Sequence, residues 1–253
     1  MMPNKENDLS APVAIITGGT SGIGAATAEE LGKRGYRLLL VALDDPNNLL
    51  TGLQAKGVSA QFLQVDLSAA QSAAKTIVSS AITFFGQIDL VVNCAGVASH
   101  KEVEEVSEAD WDRIFAINVK APFFLIQQTV PYLKLTHGTV INVSSTNALH
   151  PMKKNQLYDS LKAALNNLTQ GLALEFRDSE VRVNAVMPGG VRTPMVEKWL
   201  YEYLGREPIE NDYGSPSIAT PDQIARVIAS LASKEMSWVN GAVIPVDGGF
   251  SLD

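Results

Sequence analysis

The sequence predicts a doubly wound α/β fold, a seven-stranded parallel sheet with helices on both faces, and three observations predict it. Short apolar runs alternate with longer amphipathic stretches almost from end to end, the pattern of β-α units on a parallel sheet. Some of these runs, such as Leu-Leu-Leu-Val at 38–41, are solidly aliphatic, as strands covered on both faces must be. A glycine-rich turn follows the first run and opens an Ala-rich helix.

Taken in order, the strand candidates lie at 13–17, 37–43, 60–65, 88–93, 139–144, 182–186 and 242–246. Helical stretches fall between them at 22–34, 46–55, 69–85, 108–135, 156–176 and 221–232. A chain of 253 residues suits one α/β domain of this size, so residues 1–253 are expected to form a single dinucleotide-binding and catalytic domain. One segment breaks the rhythm. Residues 189–220 mix prolines and glycines with aromatics and charges, too long for an ordinary connection and suited to a substrate lid.

Composition narrows the function classes. Apolar residues make up 46% of the chain and charged residues 19%, with a net charge of −7 and no basic block. Neither a nucleic-acid nor an anionic-lipid partner is expected from that balance. The apolar runs are too short to span a bilayer, so no membrane partner is expected either. The opening segment MMPNKENDLS is polar and has no secretory apolar core, which points to the cytoplasm. A single cysteine, Cys94, allows no internal disulfide and reads as a small buried filler. No metal site is expected.

The turn itself reads Thr17-Gly18-Gly19-Thr20-Ser21-Gly22-Ile23-Gly24. Its spacing is Gly-x3-Gly-x-Gly, and such glycines let backbone N–H groups and a helix N-terminus approach a pyrophosphate. Gly18, Thr20, Ser21, Gly22, Ile23 and Gly24 are therefore cofactor candidates in a Rossmann fold. After the second strand the chain reads Val41-Ala42-Leu43-Asp44-Asp45, with no Arg or Lys there or in the glycine turn. An acidic residue at that place holds ribose hydroxyls, so Asp44 favours NAD, with NADP still open. An Asp pair before Pro46 is also ordinary turn and cap chemistry.

Tyr158 and Lys162 stand four apart at the start of a helical stretch and so share a face. A phenol with a pKa near 10 carries protons poorly at neutral pH, and a lysine ammonium beside it, with the positive oxidised nicotinamide, favours the phenolate. Ser145 follows the strand 139–144. Residues past the C-terminal strand ends line the ligand crevice, so its hydroxyl is placed to hold a substrate oxygen. Adjacent Ser144 is the alternative for the same duty, but a one-residue step along a strand points the other way, so Ser145 is favoured.

With these pieces in hand, the chain resembles a classical short-chain dehydrogenase/reductase over nearly its whole length. The resemblance rests on residues 17–24, Asp66, Asn93-Cys94-Ala95-Gly96, Asn118, Ser145, Tyr158 with Lys162, Pro188-Gly189, and Val246-Asp247-Gly248-Gly249. It implies an enzyme that interconverts a secondary alcohol and a ketone by hydride transfer. Tyr158 would be the acid/base, Ser145 would orient the substrate oxygen, Lys162 would bind the nicotinamide ribose, and Asn118 would support a water relay. Asp66 and Leu67 would meet the adenine. Asn93, Ala95, Gly96, Pro188 and Gly189 would line the cofactor, with Val191 and Thr193 at the nicotinamide amide. Cys94 stands where the family usually has Asn. Pro122 adds a reason of the chain's own: a proline there offers no N–H to the Asn118 carbonyl four residues back, which is left free.

Substrate choice is expected from the lid and the segment before Tyr158, with Ser145, His150, Met195 and Trp199 as contacts. The sequence is most similar to bacterial 3-oxoacyl reductase-like and sugar or polyol dehydrogenase members. The absence of an arginine cluster counts against a carrier-protein substrate, and the lack of a cofactor-selecting basic residue favours an NAD-linked dehydrogenase; an NADPH-dependent 3-oxoacyl-thioester reductase is the alternative. The resemblance also implies a homotetramer. A non-catalytic NAD-binding redox sensor is the rival from another class, and it has no need of an intact Ser, Tyr and Lys set.

Overall fold

The aliphatic runs become seven parallel strands because each needs cover on two faces. β1 (Val13–Thr17), β2 (Arg37–Ala42), β3 (Ala60–Gln64), β4 (Leu90–Asn93), β5 (Thr139–Val143), β6 (Arg182–Pro188) and the late strand Val243–Val246 form one sheet. The computed structural model describes residues 10–46, 48–208 and 218–252. Two short strands, β7 (Gly190–Val191) and β8 (Ile218–Ala219), pair in parallel as a separate ribbon, so Val243–Val246 is β9. In the main sheet the order is β3-β2-β1-β4-β5-β6-β9. Winding reverses between β1 and β4, the place where an open parallel sheet leaves a crevice beyond its strand ends.

Side-chain alternation divides the core in two. Val13 and Ile15 of β1, with Leu39 and Val41 of β2, face α3 (Ala70–Phe85), α5 (Ala121–Thr136) and α6 (Gln156–Glu175). Ala14, Ile16, Leu38 and Leu40 face α1 (Gly22–Lys33), α2 (Asn48–Ala55) and α8 (Pro221–Leu231). The helices dock by their small and aliphatic stripes: Ala74, Ile77 and Ala81 of α3 are all essentially inaccessible, as are Ile224 and Ile228 of α8. Burying a large aliphatic side chain contributes about 1.5–3 kcal/mol, so these two faces dominate the stability of the fold.

One expected helix is interrupted. Residues 108–135 divide into α4 (Glu108–Phe115), a π turn at Ala116–Lys120, and α5. The Ala121 N–H reaches back five residues to the Ala116 carbonyl. Pro122, second in α5, has no N–H to give, so the regular helical acceptor bond of Asn118 is missing. A π turn at the position singled out by Pro122 puts the irregularity beside the crevice.

The expected lid, 189–220, contains more structure than an open loop. Thr193 caps α7 (Pro194–Leu204), its Oγ1 accepting the Val196 N–H at 3.4 Å, and Gly205 ends it in the left-handed region at φ 67°. The remainder of that segment, 209–217, lies outside the described residues, as do residues 1–9. Among the described residues, no helix is long and apolar enough to cross a membrane.

Candidate active site

Thr17 closes β1 and ties the two loops that frame the crevice. Its Oγ1 donates to the Val92 carbonyl at 3.4 Å and accepts the N–H groups of Cys94 at 3.1 Å and Ala95 at 3.2 Å. Close approach then dictates glycine. A Cβ on Gly18, whose φ is 64°, would lie 2.9 Å from the Cα of Ala95, and one on Gly24 would run into the Gly18 carbonyl. Ser21 is the N-cap of α1 in extended backbone, yet its hydroxyl caps nothing. The first-turn N–H groups therefore face the crevice without a side chain over them, which suits a pyrophosphate.

The crevice is a cleft of about 770 Å³, within the range of cofactor sites. At one end it is bordered by Gly18, Thr20, Ser21, Gly22, Ile23 and Gly24. Asp44, Asp66 and Leu67 line the region beyond the ends of β2 and β3. Ala95, Gly96, Ser145, Tyr158 and Lys162 line the other end, with Pro188, Gly189, Val191, Thr193 and Met195 across from them. The glycine cradle and the acidic pair at the β2 and β3 ends fit a dinucleotide. Among the described residues, no group of three or more His, Cys, Asp or Glu could hold a metal ion.

Tyr158 rises from the first turn of α6. Burial pushes the phenol up to about 12, against the downward pull of the Ser145 side chain. Lys162, one turn on, is only 4% exposed. Its Nζ lies 5.4 Å from the Tyr158 ring centroid and donates to the Val143 carbonyl at 2.7 Å. Burial lowers its ammonium to about 8. Ser145 Oγ accepts the Asn147 N–H at 3.2 Å, while Ser144 turns away to donate to the Lys162 carbonyl at 3.1 Å. Strand alternation thus separates the two serines as expected.

Asn118 is buried in the π turn. Its side-chain amide clamps Val97, accepting that N–H at 2.9 Å and donating to that carbonyl at 2.8 Å. A Cβ on Gly96 would lie 3.4 Å from Asn118 Oδ1 and 3.6 Å from Lys162 Nζ. Asn118, Gly96 and Lys162 therefore form one contiguous wall, with the Asn118 side chain spent on the loop and only its backbone left for other bonds.

Three expected contacts fall elsewhere. Asn93 pairs in register with Asn142 and donates to its Oδ1 at 2.8 Å, and Asn142 in turn donates to Thr169 Oγ1 at 2.9 Å. Its alternation carries the amide into a buried strand-to-helix network, not to the cleft. His150 is exposed because the 3-10 turn Thr146–Ala148 carries the chain outward. Trp199 packs its ring 5.5 Å from that of His100, joining α7 to the loop after β4, and does not line the cleft.

Other lining residues had no sequence signal. Val97, Ile117 and Val196 give the catalytic end apolar walls. Arg113 enters from α4, far in sequence from the glycine turn. The Asp66 carboxyl is held below its usual range chiefly by the Ser68 N–H at 2.8 Å and to a lesser degree by Arg113. Cys94, expected as a buried filler, is only partly buried and borders the cleft. Desolvation pushes its thiol up to about 12, with Lys162 pulling the other way, so it stays protonated at pH 8. Iodoacetamide at that pH is expected to leave Cys94 unmodified for hours in the folded protein, as read by intact mass; modification within minutes would contradict that protonation state.

Sheet order, cleft and side-chain set define a nucleotide-binding oxidoreductase that acts on CH–OH groups. A family model described as enoyl-(acyl carrier protein) reductase matches residues 18–251. The chain belongs to the classical short-chain dehydrogenase/reductase family. It is 33% identical to the 2,5-dichloro-2,5-cyclohexadiene-1,4-diol dehydrogenase of Sphingobium indicum, over 97% of this chain and 98% of that one. The aldohexose dehydrogenase of Thermoplasma acidophilum is similar in structure, with a TM-score of 0.88 and 28% identity over 97% of this chain and 96% of that one. So is the L-sorbose reductase of Gluconobacter frateurii, solved with NADPH and L-sorbose: TM-score 0.86, 29% identity, 94% of this chain and 96% of that one.

Proposed function

We propose that this enzyme interconverts a secondary alcohol and a ketone with NAD(H), using Tyr158 as acid/base. The observation that carries this reading is that Ser145, Tyr158 and Lys162 line one cleft, with the serine drawing the phenol down and the Lys162 ammonium 5.4 Å from the phenol ring. When bound, the nicotinamide supplies the hydride donor or acceptor. Ser145 accepts the Asn147 N–H and, with a substrate in place, turns its own proton to the substrate oxygen. Tyr158 gives a proton to that oxygen in reduction and takes it in oxidation, and the Lys162 charge eases the phenolate. Lys162 would hold the ribose, and the Asn118 carbonyl freed by Pro122 would accept from a water that reaches Lys162.

The cofactor ribose belongs at Asp44, whose carboxylate repels a 2′-phosphate. Arg113 also lines the cleft, and Asp66 answers its charge. Similarity to proteins named for a cyclic diol, an aldohexose and L-sorbose favours a cyclic or polyhydroxy substrate over a 3-oxoacyl thioester. The apolar residues Val97, Ile117 and Met195 would cover its ring face. A cytoplasmic homotetramer is the assembly this reading carries with it.

The test is a fluorescence titration of NADH against NADPH, followed by initial rates on 1,2-cyclohexanediol, sorbitol and a 3-oxobutyryl thioester. NADH is expected to bind at least about tenfold tighter, and Asp44→Ala to erase most of that preference. Tighter NADPH binding with thioester turnover would overturn the NAD-linked reading.

A further inference from the structure

Between Ser145 and Tyr158 the chain must leave the sheet, turn, and enter α6. The segment 146–155 that does so has only one short 3-10 turn of its own. It is held instead by one buried carboxylate. Asp159, 4% exposed, follows Tyr158 directly and points about 100° around the helix from it. Its Oδ2 accepts the Met152 N–H at 2.8 Å, and its Oδ1 accepts from Asn155 Nδ2 at 2.6 Å. Burial raises this carboxyl, and the Met152 N–H and the Asn147 and Asn155 side chains pull it back down. An ionised carboxylate is acceptor-only, which matches the two donors bonded to it.

Asn147 connects this clamp to the chemistry. Its side chain draws the Asp159 carboxyl down while its backbone N–H is given to Ser145 Oγ at 3.2 Å. A second tie keeps the segment against the loop after β4: Lys154, in the left-handed region at φ 62°, pairs with Glu102 at 2.9 Å.

We propose that Asp159 is a positioning residue: by fastening residues 152 and 155 it sets the separation of Ser145 and Tyr158 and, through Asn147, fixes which way the serine proton points. The inference rests on the roles given above to Ser145 and Tyr158. Neither residue needs Asp159 for its own chemistry, but both need a fixed span between them, and misplacement by about 1 Å costs about a hundredfold in rate. The charged and titratable groups around Asp159 are Tyr158 on its own helix and His100 from the loop after β4; Glu202 of α7 acts on His100 in turn. Asp159 also raises the Tyr158 phenol.

The experiment uses the full chain with NADH and whichever of the three panel compounds turns over fastest. Asp159→Asn offers one acceptor where two are needed and turns an amide donor towards donors. It is expected to lower kcat about 10- to 100-fold with NADH binding unchanged, to speed hydrogen exchange in 146–155, and to shift the basic limb of the rate profile to lower pH. The exchanged pair Asn155→Asp with Asp159→Asn reverses donor and acceptor. Asn155 Oδ1 has no partner, so an aspartate at 155 gives up no bond there. The exchanged pair is expected to restore slow exchange and most of the turnover. Unchanged exchange and unchanged kcat in Asp159→Asn would overturn the inference, as would failure of the exchanged pair to recover either. If Tyr158→Phe keeps full turnover, the reading of Tyr158 fails whatever Asp159 does; a normal Tyr158→Phe loss beside a silent Asp159→Asn sinks only the positioning role.

Discussion

Tyr158→Phe is expected to bind NADH as the parent does and to lose about a thousandfold in turnover, within the range that a positioned proton carrier contributes. The substitution removes one oxygen and leaves the ring that Lys162 faces, so the cleft keeps its shape. Ser145 loses the phenol oxygen beside it but keeps the Asn147 N–H. The pH dependence gives the second arm. In the protein alone the phenol is pushed up to about 12, so Tyr158 holds its proton at neutral pH, as a donor in ketone reduction must. Alcohol oxidation needs the phenolate, and its rate should therefore climb with pH in the parent and lie flat in the Phe variant. A variant that keeps more than half of the parent turnover would remove Tyr158 from the reaction and revive a non-catalytic role.

Much of this site was readable in the sequence because the pieces follow local rules. The aliphatic run at 38–41 required cover on both faces and sits as β2 between β1 and β3. The glycine turn required close approach, and the Cβ positions at Gly18 and Gly24 have no room. Tyr158 and Lys162 share a face because four residues are about one helical turn. What was not readable depends on register and on distant elements. Asn93 stands within a lining motif, but its register with Asn142 turns its amide into the core.

Arg113 reaches the cleft from α4, and no spacing near the glycine turn announces it. The helix expected over 108–135 carries a π turn because Pro122 removes one donor and the chain takes up the slack over Ala116–Lys120; the proline showed that a carbonyl would be freed, not how the helix would absorb it. Asp159 gave no signal either, since an acidic residue after a helical tyrosine is usually on a solvated face. Only the fold shows the Met152 N–H and the Asn155 amide converging on it.

Lys162→Met should separate what the lysine does for the reaction from what it costs the fold. The side chain is 4% exposed, and its ammonium is lowered from about 10.5 to about 8 by burial, which amounts to a cost on the order of 3 kcal/mol while the charge persists. An unfolded chain keeps this proton up to about pH 10.5, whereas the folded one releases it from about pH 8. Between those values the unfolded state binds more protons, so this group makes stability rise with pH there, and its full cost is present below pH 8. Methionine has similar length and no charge. It leaves the Val143 carbonyl without the bond now made at 2.7 Å, a loss of about 1–3 kcal/mol, so a net gain of up to about 2 kcal/mol is expected at pH 7 without cofactor. That gain should vanish by pH 10.5. Cys94 and Tyr158 are both raised and weaken the fold as pH climbs above about 9; Lys162 pulls the Cys94 thiol down, so the variant loses somewhat more on that limb, which also works against its advantage at pH 10.5. Turnover should fall about a hundredfold or more, because the phenolate loses its neighbouring charge and the cofactor its ribose contact. Urea unfolding at pH 7 and pH 10.5 reads the first effect, and initial rates read the second. A variant less stable than the parent at pH 7, or one whose advantage persists at pH 10.5, would show that the Lys162 charge is not the strained element that this geometry makes it.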